Sequence, residues 1–116
     1  SLDEARAQGM TAPQQRLLML IDDEPAQCRL IAALAAREGW RTIIAGDAET
    51  AIATLGTRQG MQLDAIILDH WVPGDDACAL IADLKSRRPA LPLLMLTTSA
   101  SPLLAVEAMR AGATDY

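Results

Sequence analysis

The sequence predicts an α/β domain with a doubly wound parallel sheet, and three observations carry that prediction. Short unbroken apolar runs recur at 17–21, 65–68 and 93–96, the pattern of strands buried on both faces of a parallel sheet. Stretches with apolar residues at helical spacing alternate with those runs. The links between them are short and carry Pro, Gly or an acidic residue. Strand and helix in strict alternation argue for helices on both faces of one sheet. Right-handed crossovers then bring the carboxyl ends of all the strands to one rim.

At 116 residues the chain is long enough for one domain with its own core. It is 51% hydrophobic and 22% charged, which places it among globular rather than disordered chains. With two Trp, one Tyr and no Phe, the core must be aliphatic. A net charge of −5 argues against direct nucleic-acid binding by this segment. Cys28 and Cys78 lie far apart with no metal-ligand spacing, and read as small buried or half-buried residues in a reducing compartment. No apolar stretch reaches the length of a membrane span and no basic-then-apolar leader is present, so a cytoplasmic location is expected.

Residues 1–15 contain Gly9 and Pro13 and no sustained apolar period; they read as a flexible tail, and the domain as 16–116. The run 17–21 ends in Asp22-Asp23-Glu24, after which Pro25 occupies the first turn of a helix. Leu30, Ile31, Leu34 and Ala35 supply the apolar face of that helix and Gly39 ends it. A shorter, mixed strand at 41–45 suits a sheet edge. Asp47 caps the next helix, with Ala48, Ala51, Ile52 and Leu55 on one side and Gly56 or Gly60 at its close. The run 64–69 is the central strand, stopping at Asp69 before a Pro73-Gly74 turn. Asp75 and Asp76 read as the cap of a helix bearing Ala77, Leu80, Ile81 and Leu84, with Arg87 and Arg88 as its solvated end. The strand at 93–96 follows and terminates at Thr97. Ser101-Pro102 then starts a helix running to Ala111 and stopping at Gly112.

This topology delivers Asp22, Asp23, Asp69 and Thr97 to the same rim. One acid at a strand end could equally be a helix cap or a solvated loop residue; the second acidic ending is what changes the reading. Carboxylates about 4 Å apart repel by roughly 4 kcal/mol at an effective dielectric near 20. A divalent cation with a taste for hard oxygen ligands, such as Mg²⁺, relieves that repulsion. Asp69 beside it could act as a nucleophile toward phosphorus, with the Thr97 hydroxyl hydrogen-bonding a transferring oxygen.

Residues 16–116 resemble the receiver domain of two-component response regulators. The resemblance rests on Asp22 and Asp23 after the first strand, Asp69 ending the third and Pro73 beyond it. Thr97 ending the fourth strand and the closing segment 107–116, EAMRAGATDY, complete it. That closing segment is most similar to receivers of the nitrogen-regulation type, which precede an ATPase and a DNA-binding domain. The resemblance implies a flavodoxin-like sheet of strand order 2-1-3-4-(5), and a phosphoacceptor signalling domain rather than a turnover enzyme. It makes Asp69 the phosphoacceptor, with Asp23 and Asp69 binding Mg²⁺ directly. Asp22 would act largely through water, and the Trp71 backbone carbonyl would complete the ligands. Thr97 would bind the phosphoryl group and Tyr116 would be the aromatic switch. A sensor histidine kinase or phosphotransfer protein would be the donor, or a small acyl phosphate in its absence.

Departures from the family pattern bear on function. The pattern continues past Tyr116 with a strand carrying a Lys that pairs with the phosphoryl group. Here the fifth strand and fifth helix are missing, and truncation is the expectation, with an exposed strand edge that could pair into a homodimer. Trp71 is bulky for its place and could shield the phosphoryl group from water. His70 reads as turned away from Asp69 by strand alternation. Two other functions compete: a pseudo-receiver acting by protein binding alone, favoured by the absent Lys, and a Mg²⁺-dependent phosphohydrolase. Aspartyl-phosphate enzymes of the latter kind usually need an acid where Trp71 stands. A nucleotide-binding fold is excluded by the lack of Gly-x-Gly-x-x-Gly and Gly-Lys-Ser/Thr loops.

Overall fold

The computed structural model describes residues 1, 3–4, 15–69, 76–96 and 111–114. Its elements alternate as expected. They are β1 (Arg16–Ile21), α1 (Pro25–Arg37), β2 (Trp40–Ala45), α2 (Ala48–Leu55), a 3₁₀ turn (Gly60–Gln62), β3 (Ala65–Asp69), α3 (Ala77–Arg87) and β4 (Leu93–Leu96). The strands form one parallel sheet in the order β2-β1-β3-β4. The chain leaves β1 toward β2 on one side and returns to β3 on the other. The rim between β1 and β3 is therefore the switch point at which such sheets place their chemistry.

Local signals set the helix ends. The Glu24 carboxylate accepts from the Ala26 N–H with Pro25 in the first turn of α1, Asp47 accepts from Thr50 N–H at 2.7 Å, and Asp76 accepts from Cys78 N–H at 3.0 Å. Gly39 follows α1 at φ 84°, a left-handed conformation that glycine adopts without strain. Gly56, not Gly60, caps the end of α2. Gly60 serves the turn that follows: a Cβ there would lie 1.8 Å from the Thr54 carbonyl oxygen, so the chain passes closer than any side chain allows.

The sheet divides the interior into two unequal layers. Leu17, Met19 and Ile21 of β1, Ile66 and Leu68 of β3, and Leu93 and Met95 of β4 pack with α2 and α3 in the larger cluster. In the opposite layer Leu18 and Leu20 of β1 are buried with Cys28 of α1, and Ile31 and Ala35 of α1, Trp40, Ala65 and Ile67 are partly covered. β1 is buried on both faces from Leu17 to Ile21 as expected, whereas β3 and β4 alternate: Ile66 and Leu68 are buried while Ala65 and Ile67 are half-buried. The apolar face expected of α1 needs the same correction. Ile31 and Ala35 turn toward the sheet, but Leu30 and Leu34 are 55% and 50% exposed. They sit one helical step away from the Cys28, Ile31, Ala35 line that faces the strands.

Arg88 is the other correction. It does not merely solvate the end of α3; its guanidinium donates to the Gly60 carbonyl at 2.9 Å, tying α3 to the 3₁₀ turn. Arg87 is exposed as expected and pairs with Asp83 at 2.7 Å. At the far end of β4, Thr114 exchanges two bonds with Leu93: its N–H donates to the carbonyl at 2.8 Å and its hydroxyl accepts from the N–H at 3.1 Å. The helix expected from 101 lies outside the described residues except for its last residue, Ala111, which is helical. Among the described residues no helix is long and apolar enough to cross a membrane.

Candidate functional site

Strand register builds the site. Ile21 lies opposite Leu68 and Asp69 opposite Leu96, so the residue after β1, Asp22, stands abreast of Asp69 at the rim. Asp22 is 2% exposed, the buried charged residue among those described. Its backbone N–H donates to the Ala45 carbonyl at 3.0 Å, continuing the β1–β2 ladder by one rung. Its Oδ1 accepts from the Glu24 N–H at 3.0 Å. Its Oδ2 is buried with no hydrogen-bond donor. Its carboxyl also meets that of Asp69. Two ionised carboxylates cannot donate to each other, so the pair closes as a hydrogen bond only when one of them carries a proton.

The electrostatics follow from that geometry. Burial pushes the Asp22 carboxyl above the usual carboxylate range, the Glu24 N–H opposes the rise, and the neighbouring charges of Asp69 and Asp23 add to it. The Cys28 thiol, in the first turn of α1, is raised by its own burial and then by the charges of Asp22, Asp23, Asp69 and Glu24. A buried carboxyl whose affinity for protons is raised by neighbouring acids marks a site short of positive charge.

The expected ligands are distributed unevenly. Asp22 and Asp69 are brought together, whereas Asp23 is exposed one residue further along the loop. The buried member of the acidic pair is thus Asp22, and Asp23 is exposed. Among the described residues no three His, Cys, Asp or Glu side chains converge closely enough to enclose a metal ion. Trp71, Thr97, Tyr116, His70, Pro73 and Asp75 lie outside the described residues. Mg²⁺ nevertheless suits the donors that are described. It takes oxygen ligands, keeps several waters and needs only one or two carboxylates, and the orphaned Asp22 Oδ2 beside Asp69 offers them.

Sequence reasoning overlooked two contributors. Glu24 was read only as an acid before a helix, yet it caps α1 and its N–H positions Asp22. Cys28 was read as filler, yet its Sγ lies 3.6 Å from the Asp22 carbonyl oxygen. Its spacing in the first turn after the acidic loop was the available signal.

A doubly wound sheet of order 2-1-3-4 with an acid pair at its switch point defines the class: a receiver-like α/β signalling domain. The response regulator receiver domain model matches residues 18–116, and the chain belongs to that family. It is 29% identical over 99 residues to the probable transcriptional regulatory protein TcrX of Mycobacterium tuberculosis, covering 85% of this chain and 41% of that protein. It is 31% identical over 101 residues to the nitrogen assimilation regulatory protein NtrX of Azorhizobium caulinodans, covering 85% of this chain and 22% of that one. The crystal structure of NtrX from Brucella abortus superposes with a TM-score of 0.77 at 31% identity, over 87% of this chain and 22% of that one. The chain therefore spans less than half the length of these curated relatives, and its likeness to NtrX agrees with the closing segment 107–116.

Proposed function

We propose that this receiver domain is a phosphorylation-dependent switch that accepts a phosphoryl group on Asp69 in a Mg²⁺-dependent reaction. The observation that supports this most is the rim pair, a half-buried Asp69 ending β3 against a buried Asp22 with an orphaned oxygen. Asp22, Asp23, Asp69 and the Trp71 carbonyl would hold the cation. When bound, it would neutralise charge on the transferring phosphoryl oxygens. An Asp69 carboxylate oxygen attacks phosphorus as the bond from phosphorus to the donor's leaving atom breaks. The Thr97 hydroxyl hydrogen-bonds a phosphoryl oxygen, and Tyr116 reports the shift of Thr97 to the surface. Asp22, anchored by the Ala45 carbonyl and the Glu24 N–H, stands beside Asp69 as a second carboxylate for the cation.

The donor is a sensor histidine kinase or phosphotransfer protein, and the acceptor of the signal is an output domain or partner, as suits relatives described as transcriptional regulators. The test is intact mass after incubation with acetyl phosphate, with and without Mg²⁺, beside Asp69→Asn. One added phosphoryl group that needs Mg²⁺ and vanishes in the variant is the expected result. Absence of any gain in a protein that binds Mg²⁺ would turn the reading to a receiver that works by binding alone.

A further inference from the structure

We infer that Cys28 is a positioning residue for the cation site, its thiol holding the Asp22 backbone so that the one unpartnered carboxylate oxygen is presented at the rim. The inference rests on the cation reading of that site. Every other hydrogen-bonding group of Asp22 is taken by the protein. The N–H donates to the Ala45 carbonyl at 3.0 Å, Oδ1 accepts from Glu24 N–H at 3.0 Å, and the carbonyl oxygen accepts from the Cys28 thiol at 3.6 Å. What remains is Oδ2, buried and without a donor.

Among the described residues Cys28 is the side chain that holds the Asp22 backbone, because Ala45 and Glu24 contribute through their backbones. Its own position is fixed twice. The N–H donates to the Glu24 carbonyl at 2.9 Å, the first helical bond of α1, and the side chain packs against Leu18 and Leu20. The thiol therefore couples the helix start, the small core layer and the acidic loop. A contact that orients a ligand without touching the ion is an outer-shell interaction, and losing one typically weakens metal binding about tenfold or more.

Two substitutions separate positioning from packing. Cys28→Val fills the apolar pocket without a donor, and Cys28→Ser keeps a donor but suits the apolar surroundings poorly. Mg²⁺ affinity is read by calorimetry and stability by thermal melting, each on the whole protein. Positioning predicts opposite orders: Cys28→Val melts higher than Cys28→Ser yet binds Mg²⁺ about tenfold more weakly than wild type, with Cys28→Ser closer to wild type. Wild-type affinity in Cys28→Val, or affinity that follows melting temperature in both variants, would overturn the inference. A wild-type protein with no saturable Mg²⁺ binding would instead remove the cation reading beneath it. Should neither variant fold, a Cys78→Ser protein gives the reciprocal measurement: Mg²⁺ should slow alkylation of Cys28 severalfold, and an unchanged rate would contradict the coupling.

Discussion

The two faces of the sheet differ more than the alternation of the chain suggests. On one, α2 and α3 close over Met19, Ile21, Leu68, Leu93 and Met95, all fully buried. On the other, α1 covers Leu18 and Leu20 but leaves an apolar groove of about 500 Å³ between itself and β4, lined by Ile31, Leu34, Trp40, Ile67, Leu94 and Leu96 among others. Arg16 lies over the Trp40 ring at 5.6 Å, at the edge of this face. The closed face supplies the stability that fixes strand register, and register sets Asp22 abreast of Asp69. The open face carries the acidic rim's own support, since Cys28 and the start of α1 belong to its layer. Stability and site are thus drawn from opposite sides of the same four strands.

The largest effect should come from the closed face. Ile81→Ala removes a fully buried side chain of α3 and should cost about 2–5 kcal/mol in urea unfolding. A cost near that of a surface change would show that the closed layer is loose. Gly60→Ala should cost about 1–3 kcal/mol, because the added methyl meets the Thr54 carbonyl and forces the turn before β3 to shift. Asp47→Ala should abolish an acid-dependent part of stability at the start of α2. The Asp47 carboxyl lies below the usual range because Thr50 donates to it. Its contribution is therefore present above the ordinary carboxylate pKa and lost as pH falls through the lowered one; a variant with an unaltered acid limb in thermal melts would contradict this. The smallest effect belongs to the open face: Leu34→Ala should change stability by less than about 1 kcal/mol. A penalty comparable to that of Ile81→Ala would mean that the groove is covered in the folded protein.

Most of the frame was legible from pattern. The runs 17–21 and 93–96, the caps Asp47 and Asp76, and Gly39 after α1 were all placed where the structure has them. These features are local, and each depends on residues within a turn of one another. What pattern missed depends on partners far along the chain. Leu30 and Leu34 have helical spacing with Ile31 and Ala35, but which of these meets the sheet depends on how α1 is rotated upon it. Arg88 looks like a solvated helix end until the 3₁₀ turn at Gly60 comes within reach. At the site, topology was enough to bring Asp22 and Asp69 together. Which neighbour of the acidic pair is buried was not legible, because the β1 ladder continues one residue further, through Asp22 N–H to Ala45.

In the proposed function the rim takes up a cation, and the buried Asp22 carboxylate beside Asp69 is costly to the fold until it does. A carboxyl raised above its usual range lends stability fully below the ordinary carboxylate pKa, and that stability is lost as pH rises through the raised value. Above that raised value and without metal, the Asp22 charge is therefore a burden on the fold. The most direct measurement is the melting temperature of wild type and Asp22→Asn at neutral pH, in chelator and in Mg²⁺. The account predicts that Asp22→Asn melts several degrees higher than wild type in chelator, and that Mg²⁺ raises wild type while barely moving the variant. A variant that melts lower in chelator, together with equal Mg²⁺ shifts in both proteins, would contradict it.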